Sequence, residues 1–256
     1  ETISRTLQAS GQVPFGYVWQ GRQYEGLSCV FLEIMDGFGG EWYAPQTSAI
    51  GLDEPAGTAA ATWLQHLIES GISPRAVTNY AESESLQSFK SGESAFMRNW
   101  PYAWAELQKD DSPVKGKVGI TTMVAESNQR PAATIGSWGL SLLKGSEHPQ
   151  STIEAIKYLT NEQSQRYLYT NFGYTPTQAA LFNDEQLTRT HPSLVAIGEA
   201  LPFARARPQT PLYAQMSDVL QRNLSSALTG VTPPSAAMDQ AQQSTEQVLI
   251  AAGATS

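Results

Sequence analysis

One cysteine, three histidines and no apolar run near the roughly 18 residues of a membrane span bound what this 256-residue chain can be. A lone Cys29 excludes an internal disulfide and a thiolate zinc site. It lies in "SCVFLEIM", an apolar helical stretch, and reads as a small core residue. One buried thiol is compatible with an oxidising compartment. His66 sits beside the apolar stripe of a helix, and His148 and His191 each precede proline, so no metal site is expected. There is no G-x-S-x-G elbow, no P-loop and no strand–GxGxxG–helix unit. "GFGG" follows a helix and reads as its cap. Sixteen Lys and Arg against 24 Asp and Glu give a net charge of -8, with no basic stripe. Nucleic acid and anionic membrane are therefore poor partners. Carboxylates such as Glu25 and Glu33 are plentiful, but sequence cannot place two of them at the spacing glycoside hydrolysis requires. No positive signal for an enzyme or a cofactor emerges. The chain opens from Glu1 into a polar helical pattern rather than a basic, then apolar, leader.

What is present is periodicity and aromatic rings. Leu27, Val30, Phe31, Ile34, Met35 and Phe38 recur at helical spacing, and Gly39 and Gly40 close that helix. A second helix starts near Asp53 with Pro55 in its first turn and buries Ala60, Trp63, Leu64, Leu67 and Ile68. Strands are expected in "PFGYVW", "SAFMRNW", "KVGITTMV" and on both sides of "GSWG". Helices are expected near 2–10 and 82–91, then at 150–171, 176–188, 191–201, 211–229 and 234–251. "LPFARARPQTP" is proline-bounded and extended. The class is α/β with excess helix.

In "FMRNWPYAW", Phe96 and Trp104 read as packing residues. Trp19, Trp100, Tyr102 and Trp138 instead end strands or occupy Gly- and Pro-flanked turns, where ligands are commonly received. A flat ring meets the apolar C–H face of a pyranose, while sugar hydroxyls need planar polar groups. Arg22, Arg98, Arg205 and Arg207, with Gln20, Gln23 and Glu25, are the candidates for that role.

"YVWQGRQYEGL", "FKSGESAFMRNWPYAW", "GSWGLSLLKG", "YTPTQAAL" and "RARPQTPLYAQMSDVLQRNLSSALTG" occur in the order that resembles sugar-binding receptors of ABC importers. The likeness is to extracellular solute-binding proteins of family 1, the maltose/trehalose-binding type, and it spans essentially the whole chain. It implies a periplasmic-binding-protein type II fold, helix-rich α/β, with two lobes joined by crossing strands. Residues 1–121 and 203–256 then form the C-terminal lobe and 123–201 a second segment of the N-terminal lobe. The family's first N-terminal-lobe segment has no match here. The resemblance further implies a monomeric, non-enzymatic receptor that is periplasmic, or extracellular with a lipid anchor. It would bind an α-linked disaccharide or glucoside by hinge closure and dock on membrane permease subunits. Carried over by motif, the ligand residues are Tyr102, Trp100, Trp138, Gly136 and Arg207, with Arg22 and Gln23 from a loop that varies with the ligand. The rival readings are a glycoside hydrolase on the same aromatic platform and a receptor for a non-sugar solute.

Overall fold

The computed structural model describes residues 1–254. In chain order the elements are α1 (Thr2–Ala9), β1 (Phe15–Val18), α2 (Glu25–Gly37), β2 (Tyr43–Ala44), β3 (Ala49–Ile50) and α3 (Pro55–Glu69). Then come α4 (Glu82–Lys90), β4 (Ser94–Met97), α5 (Tyr102–Leu107), β5 (Ala133–Thr134), α6 (Pro149–Thr160) and α7 (Glu162–Phe172). The rest is α8 (Ala179–Phe182), α9 (Glu185–Thr190), α10 (Ser193–Ala200), β6 (Ala204–Arg205), α11 (Tyr213–Leu228) and α12 (Pro234–Ala251). The strands pair in twos: β1 with β4 in parallel, β2 with β3 antiparallel, and β5 with β6 in parallel.

The chain gathers into two compact units. The first holds Glu1–Asn99, Thr122–Ile135 and the chain from Phe203 onward; the second holds Trp100–Thr121 and Gly136–Pro202. At the centre of the first unit lies α2, buried from Gly26 through Met35. A helix that is apolar on every side must be covered on every side. Here α3, α11 and β5 supply the cover, with α12 packed in turn on α11 and α3, and Leu27, Phe31 and Met35 share one core cluster with Leu64, Met216, Leu220 and Met238. The second unit has a much smaller buried cluster of Tyr169, Leu181, Leu187 and Leu194.

Several sequence expectations are corrected. Segments 117–124 and 138–143 join no ladder among the described residues. A strand exists only through its partner, and Leu140 and Leu143 stay exposed. The helix expected over 150–171 is two helices, because the Asn161 side chain accepts the Ser164 N–H at 2.8 Å and starts a new one. Asp184 likewise accepts the Leu187 N–H at 2.7 Å and divides the 176–188 stretch. Phe96 is exposed rather than packed.

Three candidate ligand residues prove to be interior. Trp19 is 0% exposed, and its indole donates to Ser73 Oγ at 3.1 Å. Arg98 is 4% exposed and its fork donates to both Glu33 oxygens, from Nε at 2.9 Å and from Nη2 at 2.6 Å. Gln20, also buried, accepts from Arg98 Nη1 at 3.0 Å. Burial works against the Arg98 cation, yet the Glu33 carboxylate outweighs it and holds the guanidinium pKa above its ordinary value. Glu33 Oε1 also accepts the Thr134 N–H at 3.0 Å, and Thr134 Oγ1 donates to the Cys29 carbonyl at 2.9 Å. The β5 strand is thereby fastened to α2.

Removing one member of such a pair leaves a bare buried charge. Arg98→Met should therefore cost about 3–5 kcal/mol of unfolding free energy. Arg98→Met with Glu33→Leu should recover part of that, leaving roughly 1–3 kcal/mol for the orphaned Thr134 N–H. Urea titration of the three proteins checks the order. Burial also pushes the Cys29 thiol up to about 11. Its alkylation by iodoacetamide at pH 8 should be undetectable until the protein is unfolded.

Candidate functional site

In the first unit, the candidate residues collect at the N-terminus of α2. Trp19, fixed in the core, anchors the loop that follows β1, and the Arg22 N–H donates to the Tyr80 carbonyl at 3.1 Å. Arg22 and Gln23 are exposed on that loop. The Arg22 guanidinium lies 5.3 Å from the centre of the Tyr24 ring, within cation–π range. Tyr24 lies across the first turn of α2, over Gly26, where an added Cβ would collide with its ring and hydroxyl. Its hydroxyl donates to Glu82 Oε2 at 2.8 Å; burial and that bond raise its pKa.

Glu25, the first residue of α2, gathers the rest. Arg207 Nη1 donates to its Oε1 at 2.7 Å, the Tyr213 hydroxyl donates to the same oxygen, and Ser217 Oγ donates to Oε2 at 2.7 Å. Tyr213 and Ser217 are four residues apart on α11 and so share a face. Ser28 Oγ and Ser217 Oγ lie 2.8 Å apart, and Gln221 donates to Ser217 at 2.9 Å. The Arg207 guanidinium also lies 5.8 Å from the Tyr213 ring. Burial disfavours its charge, but the Glu25 bond prevails and its pKa is raised. Burial, then the Glu25 bond, raises the Tyr213 hydroxyl's pKa. The result is a half-buried, preorganised array of hydroxyls, carboxylate and guanidinium, with spare donors and acceptors.

The second unit carries the rings. Trp100 and Tyr102 flank Pro101 at the start of α5, both half-buried. The Trp100 ring lies directly on the Gly136 backbone, since a Cβ there would be 2.8 Å from it. Two residues on, Trp138 is 97% exposed. An indole held almost wholly in water gives its own fold little and offers a free apolar face.

Within each unit, then, the structure places Trp100 against Gly136, with Tyr102 beside Trp100 in the chain, and joins Arg207 to Glu25. Arg205 goes elsewhere: its Nε donates to Asp36 at 2.6 Å, near the opposite end of α2. That end opens into a cavity of about 620 Å³ lined by Asp36, Trp42, Arg130 and Arg205, and by none of the ligand residues expected from motif. Tyr24, Tyr213 and Ser217 are absent from the sequence-based set, and Glu25 appeared there only as a neighbour of Trp19. The available signal was a tyrosine–serine pair at helical spacing just past the arginine of "RARP". Among the described residues, no group of three or more His, Cys, Asp or Glu could hold a metal.

Comparison with known proteins adds an independent line. Residues 3–166 match the family described as "Bacterial extracellular solute-binding protein". The chain is 37% identical over 244 residues to the "Probable ABC transporter-binding protein" of Deinococcus radiodurans, covering 93% of this chain and 58% of that protein. Among solved structures it resembles maltose-bound MalE3 of T. maritima, with 36% identity and a TM-score of 0.90 over 96% of this chain and 63% of that one. A ribitol-bound solute-binding protein of Agrobacterium radiobacter K84 superposes with a TM-score of 0.84 at 21% identity, over 96% of this chain and 62% of that one, and speaks to the fold alone. The fold is of the periplasmic-binding-protein type II. The chain spans about three fifths of the length of these relatives.

The contact between Trp100 and Gly136 makes a direct prediction. Gly136→Ala should push the indole off the backbone and shift its near-ultraviolet circular dichroism, with a small stability cost. Gly139→Ala, whose Cβ meets nothing within 4 Å, should leave the spectrum unchanged.

Proposed function

We propose that this chain, which belongs to the bacterial extracellular solute-binding protein family, forms part of the receptor of a sugar ABC importer. It works outside the cytoplasm, as a monomer, and hands its cargo to membrane permease subunits. The cargo is an α-linked disaccharide or glucoside of the maltose and trehalose type. One observation carries the reading: an exposed Trp138 with half-buried Trp100 and Tyr102 on one unit, and on the other a carboxylate that already organises an arginine, a tyrosine and a serine. A pyranose presents the complementary chemistry, with an apolar C–H face for the rings and in-plane hydroxyls for forked donors and carboxylate oxygens.

Glu25 accepts from three protein donors, so it holds Arg207, Tyr213 and Ser217 in place and keeps about one acceptor position for a ligand hydroxyl. A receptor returns its ligand unchanged. Its transport signal comes from population shift, because a sugar that binds one conformation better stabilises it by that difference in affinity. Micromolar affinity corresponds to about 8 kcal/mol, well beyond the few kcal/mol that separate two conformers.

Calorimetry of the whole protein against maltose, trehalose, glucose, ribitol and mannitol tests this. Saturable binding of an α-linked disaccharide, at least tenfold tighter than of either polyol, is the expected result. Tyr102→Ala and Trp138→Ala should each weaken it at least tenfold, about 1.4 kcal/mol, without moving the thermal midpoint. Binding of none of these ligands contradicts the reading. Release of glucose from a chromogenic glucoside would support the hydrolase reading instead.

A further inference from the structure

We infer that Phe172 and Tyr174 form a second aromatic subsite, which extends the sugar site around Tyr102 to a further pyranose of a longer α-linked oligosaccharide. The inference rests on the sugar-receptor reading above and deepens it by naming chain length as a specificity determinant. Its origin is the stretch "YLYTNFGYTPT" at the end of α7. Gly173 caps that helix at φ +73°, a left-handed conformation that reverses the chain and brings the side chains of its two neighbours together. The Phe172 and Tyr174 rings stack with centroids 6.2 Å apart and planes 28° apart. Tyr167, one and a half turns back on α7, meets Phe172 edge-on at 6.1 Å.

Three rings that pack on one another would ordinarily close off a core. These stay open, at 59% exposure for Tyr167, 49% for Phe172 and 54% for Tyr174. The Tyr167 and Tyr174 hydroxyls have no hydrogen-bond partner among the described residues, so an apolar shelf is edged by donors that face water. That is the same pairing of flat apolar surface and polar rim that a sugar ring requires.

Position assigns the occupant. Gly173 sits on the first turn of α5: a Cβ there would lie 2.7 Å from Ala105 Cβ and 3.5 Å from the Tyr102 Cα. The turn that carries the shelf is thus seated against the element that carries Tyr102, on the same compact unit. On this inference a ligand held at Tyr102 reaches the shelf with its next sugar residue.

Titration of the whole protein with maltose, maltotriose and maltotetraose, in wild type, Tyr174→Ala and Tyr174→Phe, tests the subsite. Tyr174→Ala should weaken the tri- and tetrasaccharide about tenfold, and at least fivefold more than the disaccharide. Tyr174→Phe, which keeps the stack, should retain at least a third of the wild-type affinity for the longer chains. Equal losses at every length, or no loss at all, overturn the subsite while leaving the receptor reading intact. If wild type binds none of the three sugars, that reading fails and the subsite with it.

Discussion

Three carboxylates on one helix, each holding an arginine from elsewhere in the chain, organise the first unit. Glu25 takes Arg207, Glu33 takes Arg98, and Asp36 takes Arg205. At 3.6 residues per turn these acids fall within roughly 80° of arc, one flank of α2. The rest of that helix is locked in the core, so the flank cannot drift. The pairs differ in weight. Breaking the fully buried Glu33–Arg98 pair is worth several kcal/mol. Arg205 is half-exposed, so its bond to Asp36 adds at most about 1 kcal/mol and acts mainly as a guide for β6. Glu25–Arg207 lies between these limits and orients groups at the surface instead of stabilising the interior.

This arrangement links folding to recognition. The same helix that fills the core presents its first turn, with Tyr24 and Glu25, at the surface. Strands β5 and β6 are tied to its later turns through Thr134 and Arg205. An array that is ordered in advance lowers the entropic cost of binding at it.

Local pattern made much of this legible in the sequence. The apolar repeat of α2 and the stripe of α3 depend on neighbours three and four residues away, and both helices lie where that repeat puts them. Partners far along the chain left no such trace. Glu33 and Arg98 are 65 residues apart, so Arg98 in "MRNWPY" looked like a ligand residue when it is the inner half of an ion pair. Trp19 looked free at a strand end because nothing nearby announces Ser73, 54 residues on. Segments 117–124 and 138–143 have strand composition, but a ladder is a property of two segments. Glu25 was visible and its role was not, since Arg207, Tyr213 and Ser217 lie 182 to 192 residues away.

Contact between sugar carbon-bound hydrogens and protein rings is what everything said of function requires. Saturation-transfer NMR sees it directly: the aromatic protons of the whole protein are irradiated in the presence of an α-linked disaccharide, and the sugar signals are read. The account predicts transfer concentrated on the ring C–H protons of the sugar, lost when Tyr102 and Trp138 are both replaced by alanine. Transfer that survives that double replacement, or no transfer to a sugar that demonstrably binds, would contradict it.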